Sequence, residues 1–140
     1  MNIAVKISLA AAGFYLLTGM ITGVIKYQKT MQSAEHRAPV YIDIAHRAAF
    51  LYSFAALVMA KLLEENSFSE VILIPATIIV LIFFSLTILG YLTAGLKNET
   101  ENLFRERNFI TTWFMYALIA AEIGGFFTIF CGFLIKIFAP

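Results

Sequence analysis

Cysteine is almost missing from this chain of 140 residues, which carries only Cys131. A lone thiol has no intrachain partner, so no disulfide framework holds the fold. Charge is also scarce: Asp, Glu, Lys and Arg make up 14% of the residues and the net charge is +1. That balance gives no general attraction for nucleic acid, and no basic stripe or stacking platform appears. Histidine is limited to His36 and His46, too few for a zinc site of three or four ligands. Strand-like alternation is missing as well, which excludes a membrane β-barrel.

What the chain has in excess is apolar surface. Hydrophobic residues make up 61% of it, and the mean hydropathy is +0.84. They gather into four runs, about Ile3–Ile25, Ile44–Leu63, Val71–Leu96 and Phe109–Phe138. Each is close to the ~20 residues a helix needs to cross a bilayer. In lipid every backbone polar group must be satisfied internally, so the runs are expected to be helices. The polar connections are Lys26–Asp43, Glu64–Glu70 and Lys97–Asn108. Little sequence remains for anything else, so residues 1–140 are expected to form a single all-α domain, a bundle of four transmembrane helices. The first run has Lys6 near its start, as a signal peptide would, but it is long and has no clear small-residue cleavage site. It is expected to be retained. Lys26, Lys29, Arg37, Arg47, Lys97, Arg105 and Arg107 cluster at the first and third connections. The positive-inside bias therefore puts those connections in the cytoplasm and both termini outside. The expected location is the bacterial inner (cytoplasmic) membrane.

Helices in lipid associate where small residues let backbones approach. Helix one offers Gly19-x-x-x-Gly23. Helix four offers the row Ala117, Ala121 and Gly125, with Ala120 and Gly124 beside it. Pro75 is expected in the first turn or so of helix three, where a missing N–H costs least. Pro39 separates His36 from helix two and places His36 in the connection.

The residue with the strongest claim to chemistry is His46, in Tyr41-Ile-Asp-Ile-Ala-His-Arg-Ala-Ala-Phe. An imidazole at that depth is costly to bury. Haem needs only one good axial side chain, so His46 is a candidate iron ligand; otherwise it is a hydrogen-bonded interfacial histidine. His36 and His46, ten residues apart, could not serve one metal from one helix, being about 15 Å apart along it. Asp43 could pair with Arg47, or it could accept the second imidazole N–H of His46 and orient the ring. Arg37, Arg47 and Lys29 could meet propionates. No Cys-x-x-Cys-His exists for covalent attachment, so any haem would be non-covalent haem b. Glu122 is the second outlier, a carboxyl in the middle of helix four. It is either a structural hydrogen-bonding group or a proton or cation site. Tyr52, Tyr91 and Tyr116 are tyrosines inside helices, and a buried hydroxyl wants a partner.

The chain resembles styrene oxide isomerase and the related hydroxylaminobenzene mutases in length and helix layout. The specific part of the resemblance is Ala45-His46 at the start of helix two, preceded by His36-Arg-Ala-Pro39. In the isomerase the matching histidine ligates haem b between the subunits of a trimer. The resemblance implies that His46 binds the iron; His36, Asp43 and Arg47 are the further candidates for the cofactor site. It further implies that the assembly is a homotrimer. Tyr91 stands at the spacing of the isomerase's functional tyrosine. Tyr52 occupies the position of an asparagine that orients the substrate, and Arg47 with Ala48–Ala49 replaces a Pro and a Gly. The implied reaction is a redox-neutral rearrangement of a small hydrophobic epoxide or arylhydroxylamine, with Tyr91 and Tyr52 in the catalytic positions. Alternatives are a non-catalytic haem protein for electron transfer, sensing or haem handling, a haem-free proton- or cation-coupled transporter built on Glu122, and a subunit of a larger membrane complex.

Overall fold

The computed structural model describes residues 2–139, and its regular elements are all helical. They are α1 (Ile3–Gln32), α2 (Val40–Glu64), α3 (Glu70–Lys97) and α4 (Met115–Phe138), the last led in by a π-helical turn, Ile110–Phe114. Each of the four, α4 counted with its π turn, is long and apolar enough to cross a membrane. The fold is the all-α membrane bundle that hydropathy led us to expect.

The helices outrun the hydropathic runs. α1 continues for seven residues past Ile25, because Lys26–Gln32 contains neither Gly nor Pro and is rich in good helix formers. α2 begins at Val40, directly after Pro39. Lys26, Lys29 and Asp43, expected in a connection, are therefore helical. Hydropathy marks the edge of the apolar layer, whereas helix ends are set by caps. Asn2 caps α1 by accepting from Val5 N at 2.8 Å. Asn98 closes α3 in the left-handed conformation, with φ 51°. Pro75 is the sixth residue of α3, in its second turn rather than its first. The turn Ile110–Phe114 is held by Asn108 and Thr111, which exchange backbone-to-side-chain bonds of 2.9 Å in each direction.

α2 and α3 form the centre of the bundle. α1 packs mainly on α2, α4 packs mainly on α3, and α1 and α4 do not meet. The α1–α2 seam is made of small residues, with Ala4, Ala12, Ala45, Ala49 and Ala56 buried. Gly19 lies against the Phe50 ring and Gly23 against the His46 ring. Thus Gly19-x-x-x-Gly23 is a contact within the chain. Two reciprocal hydrogen bonds lock the seam: Ser8 Oγ donates to Ala56 O at 2.7 Å, and Ser53 Oγ donates to Ala12 O at 2.8 Å. Each is worth on the order of 0.6 kcal/mol in a membrane. Tyr15 ties α1 to α3, its hydroxyl donating to Leu81 O at 2.7 Å.

α4 is fixed differently. Gly125 meets Val80 and the Ala76 carbonyl of α3. At the far end, Asn66 Nδ2 donates to Ile129 O at 2.8 Å and Ser67 Oγ to Gly132 O at 2.9 Å. Of the small-residue row on α4, only Gly125 makes a close helix contact, while Ala117, Ala120 and Gly124 are exposed. Trp113, Tyr116 and Tyr27 are also exposed, near the end that carries the first and third connections. Amphipathic aromatics gather at a membrane–water interface in this way.

The closest backbone approach is at Gly95, where any Cβ would fall 2.5 Å from Ile42 N. Gly95→Ala is expected to destabilise the fold by about 1–3 kcal/mol, the usual cost of overpacking. Gly13→Ala, with open space around it, is expected to be neutral or slightly stabilising. Thermal unfolding of the two variants in one detergent checks the pair.

Candidate functional site

His46 points from α2 toward α1. Its Nδ1 lies 2.9 Å from the Gly19 carbonyl oxygen. A carbonyl only accepts, so Nδ1 is the donor. The ring also meets Phe50 edge to face, with centroids 5.1 Å apart. Gly23 makes room for it, because a Cβ there would stand 2.9 Å from Cε1. In the neutral imidazole this assignment leaves Nε2 bare, with its lone pair outward. Nε2 has no hydrogen-bond partner, and the residue is half-buried.

Asp43 does not orient His46; the Gly19 carbonyl does. The Asp43 carboxylate forms an ion pair with Lys26 of α1 and another with Arg47 at 2.9 Å, one turn along α2. The reason is distance along the sequence and charge: two cations reach Asp43, and the imidazole already has its acceptor across the seam. These groups are partly exposed, so the pairs contribute little stability. His36 lies in the α1–α2 connection, exposed, with φ 51°. It is not brought to His46.

The two tyrosines share one space. Tyr52 and Tyr91 both line a cavity of about 620 Å³, bounded by α3, the connection Asn98–Phe109, the π turn and the start of α4. Its walls include Thr87, Lys97, Asn108 and Thr111. Tyr91 stacks on Tyr41 at 5.9 Å, and the Tyr41 hydroxyl accepts from Leu103 N at 2.7 Å, which pins the connection over the cavity. Tyr52 lies flat on Phe84, with centroids 4.1 Å apart and planes 3° from parallel. Its hydroxyl stands near Thr87 and Glu122. Glu122 Oε1 is buried and hydrogen-bonded to nothing, and Thr87 Oγ1 is buried beside the Tyr52 hydroxyl. Tyr116, by contrast, is exposed.

Comparison with protein-family models, curated proteins and solved structures finds no match to this chain. The functional reading therefore rests on its own residues. In one subunit α2 separates the two groups singled out in the sequence. His46 faces α1, whereas Tyr52 of α2 and Tyr91 of α3 line the cavity on the other side. The Gly19 carbonyl and Thr87 escaped the sequence reading. A backbone acceptor carries no residue signal, and one threonine in an apolar run looks like helix packing. The Gly19–Gly23 motif was the available hint, because it marks where a backbone comes within reach of a neighbouring side chain.

The seam dictates a tautomer. ¹⁵N NMR of histidine-labelled protein without added cofactor is expected to show His46 protonated at Nδ1 and bare at Nε2. Protonation at Nε2 alone would contradict the Gly19 bond.

Proposed function

We propose that this protein is a b-type haem protein of the bacterial cytoplasmic membrane, with His46 Nε2 as the axial ligand, assembled as a homo-oligomer and most simply as a trimer. The observation that carries the reading is the oriented imidazole: Nδ1–H held by a backbone carbonyl and Nε2 left with a free lone pair. Metal-bound histidines are ordinarily held in this way through the other ring nitrogen. The donor set therefore fits haem, which asks the protein for a single strong axial ligand.

The seam itself has no room for a porphyrin, since Gly19 and Gly23 bring α1 against α2. The cofactor would have to lie on the outer surface, closed over by a neighbouring subunit. Arg47, exposed and next to His46 in the chain, is a cation available to a propionate, with Asp43 holding it in place. His36 lies on the exposed connection at the same end, where it can approach the edge of the cofactor from its own or a neighbouring subunit.

We propose further that the protein rearranges a small hydrophobic substrate, such as an epoxide or arylhydroxylamine, without net redox change. When bound, ferric haem supplies Lewis acidity toward a substrate oxygen. The chain supplies the rest. Tyr91 offers a hydroxyl to orient that oxygen, Tyr52 presents a flat wall braced by Phe84, and the apolar surround excludes water. Because one subunit keeps His46 and the tyrosines on different sides of α2, a joint site requires two subunits. A non-catalytic haem protein is the second reading, favoured by Tyr52 where the similar isomerase has an asparagine.

Three outcomes are expected. Purified protein shows a Soret band that His46→Ala abolishes; equal haem in both sinks the assignment. Native mass spectrometry in mild detergent shows trimers, and monomers alone would contradict the shared site. Tyr91→Phe lowers turnover about 10-fold or more, some 1.4 kcal/mol of transition-state stabilisation, with haem retained. Wild-type inactivity on both substrate classes favours the non-catalytic reading.

A further inference from the structure

Glu122 stands apart from the haem reading. It is the twelfth residue after Ile110, so it lies about 18 Å along that helix, near the middle of a hydrocarbon layer of roughly 30 Å. It forms no ion pair, and its Oε1 is fully enclosed with no hydrogen-bond partner. An unpartnered carboxyl in apolar surroundings costs several kcal/mol of lost solvation. Nothing in the fold returns that cost. The nearby polar groups are the Tyr52 hydroxyl from α2 and, from α3, Thr87, which lies against that hydroxyl.

The same carboxyl borders a groove of about 510 Å³ between α2, α3 and α4. This volume falls within the usual range for small-molecule sites. Apart from Glu122 the lining is wholly apolar, with Val58 and Met59 from α2, Phe84 from α3, and Phe126 and Phe130 from α4 among its walls. The groove is distinct from the larger cavity. The stacked pair lies between them, Phe84 lining the groove and Tyr52 lining the cavity. A pocket with one acidic group and aromatic sides complements one kind of ligand. The ligand has a single ammonium to donate to the carboxylate, a position favoured by ring faces, and an apolar body that fills the rest.

We propose that this groove binds small hydrophobic amines, with the ammonium group paired to the Glu122 carboxylate and the apolar body lying against Phe84, Phe126 and Phe130. The contact is made on the side of the carboxylate that borders the groove, and it neutralises a charge the apolar surround leaves unpaired. A neutral alcohol of the same shape fills the groove and can donate one hydrogen bond, but it leaves the carboxylate's charge unpaired.

The test uses the full chain in uncharged phosphatidylcholine nanodiscs, with empty nanodiscs as the blank and radiolabelled 4-phenylbutylamine as the probe in equilibrium dialysis. Wild type is expected to bind saturably, with unlabelled 4-phenylbutanol failing to compete. Glu122→Gln, which keeps size and shape, is expected to weaken binding about tenfold or more, since an ion pair becomes an ion–dipole contact. Val58→Trp, at an exposed wall position, is expected to block binding while leaving Glu122 intact. The proposal is overturned by non-saturable uptake, by unchanged binding in Glu122→Gln, or by equal competition from 4-phenylbutanol, which marks the groove as a simple apolar slot. It is also overturned if Glu122→Gln alters the oligomer mass, because the groove is then covered by a second copy. The Soret band of each variant is read in parallel; haem binding resides at His46, so its loss or retention does not decide the amine result.

Discussion

The α1–α2 seam is the constraint from which the rest of the structure follows. Small residues bring two helices close enough for Ser8 and Ser53 to cross-bond to opposite backbones. That closeness places the Gly19 carbonyl within reach of His46. Widening the seam by one methyl at Gly23 would push directly on the imidazole. The hydrogen bond and the ring orientation are therefore consequences of backbone spacing. α3 then packs against the finished pair through Tyr15 and Gly95, and α4 packs against α3.

The polar groups divide the molecule into two chemical regions. Near the end bearing the first and third connections lie the charged residues Lys26, Asp43 and Arg47 and the mouth of the 620 Å³ cavity. Deeper in, Tyr52, Thr87 and Glu122 face one another around the Tyr52–Phe84 stack, with few hydrogen bonds among them. Such under-satisfied groups are uncommon inside folded proteins and mark places where something else completes the bonding. The haem reading uses the first region and the tyrosine face of the second. The proposed amine groove lies on the opposite face.

The helices were legible in the sequence because a bilayer demands long apolar runs, and four such runs admit few other folds. Their ends were less legible. Lys26–Gln32 is polar yet helical, since nothing in it breaks a helix before Pro39. Gly19-x-x-x-Gly23 could be read as a contact, but its partner could not, and the row on α4 turned out to face mostly outward. For the site, His46 and Glu122 stood out because charge-bearing groups in lipid always do. That Tyr52 and Tyr91 share a cavity could not be read, because it depends on how α3 and the Asn98–Phe109 connection fold back over α2. Asp43 was open between Arg47 and His46; it pairs with Arg47 and also with Lys26, which the sequence did not suggest, because α1 extends far enough to bring Lys26 alongside.

The separation of α1 from α4 has a consequence for biosynthesis. Everything that orients the His46 ring lies within the first half of the chain, in residues that leave the ribosome before α3 is made. The α1–α2 hairpin can close, form its serine cross-bonds and seat the imidazole on Gly19 while the cavity and the groove do not yet exist. α4 arrives last and is fastened by Asn66 and Ser67, which by then have long been waiting at the far side. The order of synthesis thus allows the imidazole to be oriented before the pockets on the other side of α2 are built.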